Sequence, residues 1–211
     1  CGVHVLADDG ARWKLDPVEQ ARAACAGGAA VVQLRTKRAV DRAALAWAVE
    51  IRRCTEASGA LFFVNDRFDL ALAARADGVH VGQDDLPPAR IPPHVREILR
   101  VGLSTHTLEQ LRAARAQPVD YLAFGPVFGT RSKVSEYAER GLDALAEAVR
   151  SAGDWPLIAI GGIDAGNIGD VLRSGAAGVA VISCVAGADD PVAATRELAT
   201  LWRRGAGGAR C

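Results

Sequence analysis

The chain has 211 residues, of which 50% are hydrophobic and 24% are charged, and its formal net charge is +0. This is the composition of an ordinary globular protein that is long enough to bury a substantial core. The neutral charge balance gives no basic field for nucleic acid or for an anionic membrane, and no apolar run approaches the ~20 residues of a membrane span. We therefore expect neither nucleic acid nor a membrane as a partner.

The N-terminus and the cysteines predict the compartment. The first ten residues, CGVHVLADDG, lack the basic segment and the long apolar core of a secretory signal. The absence of methionine indicates that the chain begins after its initiator. Five cysteines at wide spacings, an odd number with no CxxC pair, indicate free thiols in a reducing cytoplasm rather than zinc or a disulfide framework.

Eight short apolar runs recur along the chain. Their cores are rich in Val, Ile, Leu and Phe and barely alternate with polar residues, which is expected of parallel strands covered on both faces. The predicted strands are residues 3–7, 30–34, 61–65, 78–82, 100–104, 120–124, 156–160 and 178–182.

Helical patterns separate these runs. Pro17 opens one helix after Asp16 as N-cap, a second covers residues 42–57 and ends near Gly59, and Thr105 or Thr107 caps a third. Later patterns cover residues 166–175 and 191–204. Eight strand–helix units predict an α/β protein, a single (β/α)8 TIM barrel forming one domain over residues 1–211. A doubly wound open sheet is the alternative, because a count of units does not show closure.

Charged residues gather where the predicted strands end, which is where a TIM barrel places its chemistry. Arg35 and Lys37 follow the second strand, whereas Asp66 follows the third and Asp84 and Asp85 follow the fourth. Carboxylates from neighbouring strands can share Mg2+, which takes one or two carboxylates together with substrate phosphate oxygens. The sequence does not decide between Asp84 and Asp85, and surface salt bridges are the alternative interpretation.

The loop after the sixth strand, residues 125–133, reads GPVFGTRSK and contains Lys133, one of three lysines in the chain. Lys37 and Lys133 both follow strands, which indicates two loops that reach the same anion. Lysine and arginine side chains at such positions can hold the oxygens of a diphosphate. A solvated loop lysine is the alternative.

A second anion site is predicted after the seventh and eighth strands. Gly161 and Gly162 follow one of these strands and Ser183 follows the other. Glycines let backbone N–H groups approach an anion, and loops at these positions form the common phosphate cradle of TIM barrels. A tight turn is the alternative. Two anion sites in one barrel mouth suit one diphosphate and one monophosphate substrate.

The histidines carry less information. His4 and His80 lie inside strands and are interpreted as packing residues, and His106 is placed equally well for a site or for a helix terminus. The sequence contains no readable Ser-His-Asp or Cys-His nucleophile set.

Seven segments together resemble the thiamine phosphate synthase family. They occur in the family's order from residue 31 to about residue 184, and they read QLRTK, VNDR, DGVHVGQDD, GLSTHT, DYLAFGPVFGTRSK, PLIAIGGI and GAAGVAVIS. The resemblance implies a (β/α)8 barrel that joins an aminopyrimidine-methyl diphosphate to a hydroxyethylthiazole phosphate. The implied products are thiamine phosphate and pyrophosphate, and the implied cofactor is Mg2+.

The resemblance also implies a role for individual residues. The pyrimidine diphosphate would meet Gln33, Arg35, Lys37, Asn65, Ser104 and Lys133. The thiazole phosphate would meet Thr130, Ser132, Gly162, Ile182 and Ser183. Mg2+ would be held by Asp66 and Asp85, and the implied catalytic residues are Arg35, Ser104 and Lys133.

Two alternatives remain beside the synthase. A thiazole tautomerase or regulatory relative would be expected to read GHVF where this chain has Pro126 in GPVF. A non-catalytic phosphate-ligand-binding barrel would not need both carboxylates and Lys133. The chain departs from the family pattern in its first strand, at Gly129, where proline is common, and at Ser132, where threonine is common. The sequence allows a homodimer without predicting the oligomeric state.

Overall fold

Eight parallel strands pair in chain order in the computed structural model, which describes residues 1–129 and 137–205. The last strand pairs with the first, so the sheet closes and the open-sheet alternative is wrong. Each predicted strand is present, with its ends shifted by at most one residue. The strands are β1 (Gly2–Asp8), β2 (Val31–Arg35), β3 (Leu61–Asn65), β4 (Gly78–Val81), β5 (Arg100–Thr105), β6 (Tyr121–Phe124), β7 (Leu157–Ile160) and β8 (Gly178–Val181).

Helices connect the strands, but not as eight equal units. After β4 the prolines break the connection into a short 3-10 turn at Pro88–Arg90 and a single helical turn, and after β8 a short helix precedes the last long one. No helix among the described residues is both long and apolar enough to cross a membrane. The helices are α1 (Pro17–Gly27), α2 (Asp41–Ser58), α3 (Phe68–Ala73), α4 (Pro93–Arg96), α5 (Leu108–Ala114), α6 (Gly141–Ala152), α7 (Ile168–Arg173), α8 (Ser183–Ala186) and α9 (Pro191–Gly205).

The predicted helix ends are formed by local hydrogen bonds. Asp16 and Glu19 make a capping box, because the Asp16 carboxylate accepts from the Glu19 N–H at 2.8 Å and the Glu19 carboxylate accepts from the Asp16 N–H at 3.0 Å. Thr107, not Thr105, caps α5, since the Thr105 hydroxyl donates to a carbonyl of β6. Helix α2 ends just before Gly59, which has a left-handed φ of 76°.

The core has two layers because successive strand residues face opposite sides of the barrel wall. The larger layer lies between strands and helices and buries Phe62 and Phe124 completely or nearly so. The smaller layer fills the barrel interior and contains Phe63, Tyr121 and Ile158. The barrel is therefore packed inside, as TIM barrels are, and is not a pore.

Two glycines make room for the large interior rings. A Cβ built at Gly102 on β5 would lie 2.1 Å from the ring of Tyr121, and one built at Gly78 on β4 would lie 2.3 Å from the ring of Phe63. Such distances are too short for any real Cβ contact, so the aromatic rings occupy the space that side chains on β4 and β5 would take. The Tyr121 ring therefore crosses the interior and reaches the side chain of His80 on β4.

Candidate active site

A cavity lies at the C-terminal ends of the strands and has two adjoining compartments. The inner compartment, of about 850 Å³ including space open to solvent, reaches down to His4 and Tyr121. The charged compartment, of about 860 Å³ on the same measure, contains Lys37 and Asp66. Both volumes suit small-molecule sites. The two compartments form one continuous cavity, because they share the lining residues Arg35, Asn65, His80, Ser104 and His106.

The residues assigned to substrates and metal from the sequence fall into this cavity wherever the structure describes them. The inner compartment is lined by Gln33, Arg35, Asn65, Ser104, Gly162, Ile182 and Ser183. The charged compartment contains Lys37, Asp66, Asp84 and Asp85. Thr130, Ser132 and Lys133 lie outside the described residues.

Arg35 is held by a carboxylate that the sequence analysis did not assign. Asp8, at the end of β1 and 2% exposed, forms an ion pair with the Arg35 guanidinium. The same carboxylate accepts from the Trp13 indole N–H at 2.7 Å and from the Gly10 N–H at 2.9 Å. Asp8 is thereby fixed by its own loop, and it fixes the arginine at the cavity wall.

The neighbouring Asp9 organises the loop after β2. Its carboxylate accepts backbone N–H groups of Lys37 at 2.9 Å and of Arg38 and Ala39 at 2.8 Å each. Burial acts to raise the pKa of Asp9, but these hydrogen bonds and the charge of Arg35 outweigh it, so the pKa lies below its usual value. Asp8, at the end of β1, thus holds the side chain of Arg35, and Asp9, which follows the strand, holds the backbone of the loop that contains Lys37.

Asp66 and Asp85 lie next to each other in the charged compartment. Burial, followed by a hydrogen bond and repulsion from Asp66, raises the pKa of Asp85. Asp66 also forms an ion pair with Lys37, and it has a φ of 66°, an uncommon conformation for a residue other than glycine. Asp85 is partly buried, whereas Asp84 is exposed. Of Asp84 and Asp85, it is therefore Asp85 whose carboxylate contacts Asp66.

A hydrogen-bonded chain of three side chains, Tyr121, His80 and Ser104, lies where the two compartments meet. Nδ1 of His80 lies 2.8 Å from the Tyr121 hydroxyl, and Nε2 of the same ring lies 2.8 Å from the Ser104 hydroxyl. The His80 and Tyr121 rings are also stacked, with centroids 5.4 Å apart. The backbone carbonyl of Ser104 accepts from the Gln83 amide at 2.6 Å. Ser104 is therefore oriented from two sides.

His106 and Tyr137 form an aromatic pair on the wall of the charged compartment. Their rings stack with centroids 4.0 Å apart and an interplanar angle of 15°. The Gly125 carbonyl is 2.6 Å from His106 Nδ1, so this nitrogen carries a proton and donates. The stack joins the end of β5 to the chain that returns toward α6.

The loop after β7 depends on glycine. Gly162 has a φ of 66°, and a Cβ built on it would lie 2.6 Å from the Gly129 carbonyl oxygen. Its own carbonyl accepts from the Asn167 amide at 2.9 Å. The backbone of this loop therefore packs directly on the loop after β6, with Ile182 and Ser183 lining the same end of the inner compartment.

Sequence reasoning missed two residues that line the cavity and one, Asp8, that holds a lining residue in place. His80 does pack in the interior as predicted, but it also lines both compartments, and Asp8 and Tyr121 were not assigned at all. The available signal was alternation, because His80 and Tyr121 have the parity of the residues on their own strands that face inward. Alternation alone does not show which of the two faces of a strand lies inside the barrel. That depends on how the strands pair around the closed sheet, which no local sequence pattern gives.

The fold is a closed (β/α)8 barrel with a cavity at the C-terminal ends of its strands, the end at which enzymes of this fold have their active sites. A family model described as thiamine monophosphate synthase matches residues 3–185. The chain belongs to this family.

Individual relatives agree over most of the chain. A thiamine-phosphate synthase of Methanoculleus marisnigri is 49% identical over 178 residues, which cover 84% of this chain and 84% of that protein. One of Anaeromyxobacter dehalogenans is 47% identical over 191 residues, covering 90% and 85%. The structure of thiamine phosphate pyrophosphorylase from Pyrococcus furiosus matches with a TM-score of 0.86 and 38% identity, covering 97% of this chain and 96% of that one.

Proposed function

We propose that this chain is a transferase of thiamine biosynthesis. It joins 4-amino-2-methyl-5-(diphosphomethyl)pyrimidine to hydroxyethylthiazole phosphate and releases thiamine phosphate and pyrophosphate. The observation that carries the proposal is the continuous cavity of a family member, with cations and paired carboxylates at one end and glycine loops at the other. One cavity then holds a diphosphate and a monophosphate with their rings between them.

The main electrostatic task is to stabilise the leaving group. Breaking the carbon–oxygen bond places negative charge on the diphosphate and positive charge on the pyrimidine methylene, which the electron-rich ring can spread. Arg35, oriented by Asp8, and Lys37, whose loop is held by Asp9, are preorganised donors for that charge. Lys133, beyond the described residues, is proposed as a third donor. Ser104 is proposed to contact the same diphosphate.

The charged compartment fits a magnesium ion. Among the described residues no group of three or more His, Cys, Asp or Glu is placed to hold a metal, but Mg2+ needs only one or two carboxylates when phosphate oxygens and water complete its shell. Asp66 and Asp85 would hold it, since two adjacent carboxylates with one raised pKa favour a shared cation. When bound, the ion neutralises charge on the diphosphate oxygens.

The second substrate does not require a protein base. The thiazole nitrogen that attacks the methylene carries no proton, so neither His80 nor His106 has a proton to remove. The protein needs to hold the ring at the methylene and to exclude competing water. The loops containing Gly162, Ile182 and Ser183 are proposed to bind the monophosphate and thereby fix the distance between the two rings.

The tautomerase alternative is not favoured. Pro126 stands where that relative would be expected to have histidine, and the carboxylate pair that suits a metal–diphosphate is present in the cavity. We further propose one domain over residues 1–211 in the cytoplasm. Light scattering would decide between a monomer and a homodimer.

The proposal is tested by incubating the protein with both phosphorylated substrates and Mg2+ and measuring thiamine phosphate and pyrophosphate. We expect equal amounts of the two products, and none when either substrate is omitted. Asp66→Asn should lower the rate, whereas Asp189→Asn, which makes the same substitution at a fully exposed residue, should not. Absence of thiamine phosphate from a folded protein under these conditions would refute the proposed function.

A further inference from the structure

His4 has an unused hydrogen-bonding atom at the floor of the inner compartment. Its side chain lies on β1, is 5% exposed and lines that compartment. Its Nε2 atom is buried and has no hydrogen-bond partner among the described residues, whereas both ring nitrogens of the nearby His80 have partners. Buried polar atoms are almost always paired in native proteins, so Nε2 is available to a bound molecule.

The surroundings of His4 select the kind of group it can meet. Burial is the main reason that the pKa of His4 is lowered to about 3, so the ring is neutral near physiological pH. A neutral imidazole offers an N–H or a lone pair, which matches an uncharged polar edge better than a phosphate. The Tyr121 ring meets it edge-on at 6.0 Å, and Leu6 and Ala180 line the same compartment. These neighbours suit a flat heteroaromatic ring.

The chemistry of the two substrate rings indicates which of them can bind Nε2 of His4. The thiazole nitrogen must point at the methylene carbon in order to attack, which leaves sulfur and methyl at its other edges. The aminopyrimidine instead has an amino group and two ring nitrogens, and its reacting carbon lies outside the ring. It can therefore use a polar edge for binding throughout the reaction.

We infer that Nε2 of His4 hydrogen-bonds the polar edge of the aminopyrimidine ring and helps to select that ring as the diphosphate-bearing substrate. The inference rests on the proposed function, because it takes the pyrimidine diphosphate as the ligand. It assigns to β1, whose last residue Asp8 holds Arg35, a direct contact with substrate deeper in the barrel.

Binding measurements separate a contact to the ring from a contact to the phosphates. Calorimetry with Mg2+ and without the thiazole phosphate, so that no turnover occurs, would give Kd for the pyrimidine diphosphate and for pyrophosphate. His4→Phe should weaken the pyrimidine diphosphate about tenfold, the size expected when a buried polar group loses its partner. Pyrophosphate, which has no ring, should bind as it does to the parent. His4→Gln should recover part of the loss, and His94→Phe, at an exposed histidine, should change neither ligand.

The unmutated protein provides a second readout if His4→Phe does not fold. The 15N resonance of His4 Nε2 should shift when the pyrimidine diphosphate is added and should not shift with pyrophosphate. Equal loss of both ligands in His4→Phe, or a Kd changed by less than about twofold, would overturn the inference. An unmoved Nε2 resonance in the saturated parent would do the same. A parent that binds the pyrimidine diphosphate but makes no thiamine phosphate would refute the proposed function without deciding the role of His4.

Discussion

Replacement of Asp8 tests whether the first strand positions the leaving-group cation. In Asp8→Asn the amide oxygen can still accept from Trp13 and Gly10, but the charged bond to Arg35 is lost. Because Arg35 is 17% exposed, water compensates only in part, and we expect the free energy of unfolding to fall by about 1–3 kcal/mol. Asp8→Ala removes all three bonds and leaves the guanidinium unpaired, so we expect a fall of about 3–5 kcal/mol.

Denaturant unfolding near neutral pH measures both values, and steady-state kinetics on the folded Asn variant measures the effect on catalysis. We expect kcat to fall because a mobile Arg35 no longer presents a fixed donor to the departing diphosphate. Asp189→Asn is the matched control, since its partner Lys14 is almost fully exposed, and it should unfold like the parent. Asp8→Asn with a free energy of unfolding within about 0.5 kcal/mol of the parent, and with normal kcat, would refute this reasoning.

Four further outcomes are expected. Asp85→Asn should raise the Mg2+ concentration needed for half-maximal rate more than Asp84→Asn does, and the reverse order would make Asp84 the main metal ligand. Full turnover in excess EDTA would show that no metal ion is required. Lys133→Ala should lower kcat by roughly 10²–10³, and a value within about threefold of the parent would leave Lys133 as a solvated side chain. Gly162→Ala should raise KM for the thiazole phosphate more than for the diphosphate, because its Cβ would displace the loop that meets Gly129; equal effects would argue against separate anion sites. In the folded chain His4 stays neutral down to about pH 3, whereas in the unfolded chain it is protonated near pH 6.5, so the free energy of unfolding falls as pH falls between these values. In His4→Phe the plot of this free energy against pH should be less steep by about 1.4 kcal/mol per pH unit over that range. A slope equal to that of the parent would contradict the low pKa of His4.

Much of the fold could be predicted because its signals are local. Apolar runs fixed the eight strands, and Asp16 with Glu19 formed the predicted cap of α1. The count of units did not show closure, which depends on the pairing of Gly2 in β1 with Gly178 in β8, two residues far apart in the sequence. The sequence shows no helical pattern between β4 and β5, where the prolines leave only the short 3-10 turn and the single turn of α4.

Some residues of the candidate site could likewise be predicted from the sequence, and others could not. Residues that follow strands, such as Arg35 and Asp66, could be placed at the barrel mouth by position alone. His80 and Tyr121 could not, because their role depends on which face of a strand is inside and on what the opposite strands leave open. Asp8 ends a strand as Asp66 does, but its significance lies in a contact to β2 that the sequence does not reveal.

The paired sizes of Gly102 and Tyr121 have a consequence for altering substrate range. The ring of Tyr121 fills the volume that a side chain on β5 would need, so the depth of the inner compartment belongs to two strands jointly. Enlarging residue 102 alone should expel the ring upward into the space for substrate, and shortening residue 121 alone should open a void below it. A redesign for larger or smaller heterocycles would therefore have to change both residues together, so that the combined side-chain volume of residues 102 and 121 stays the same.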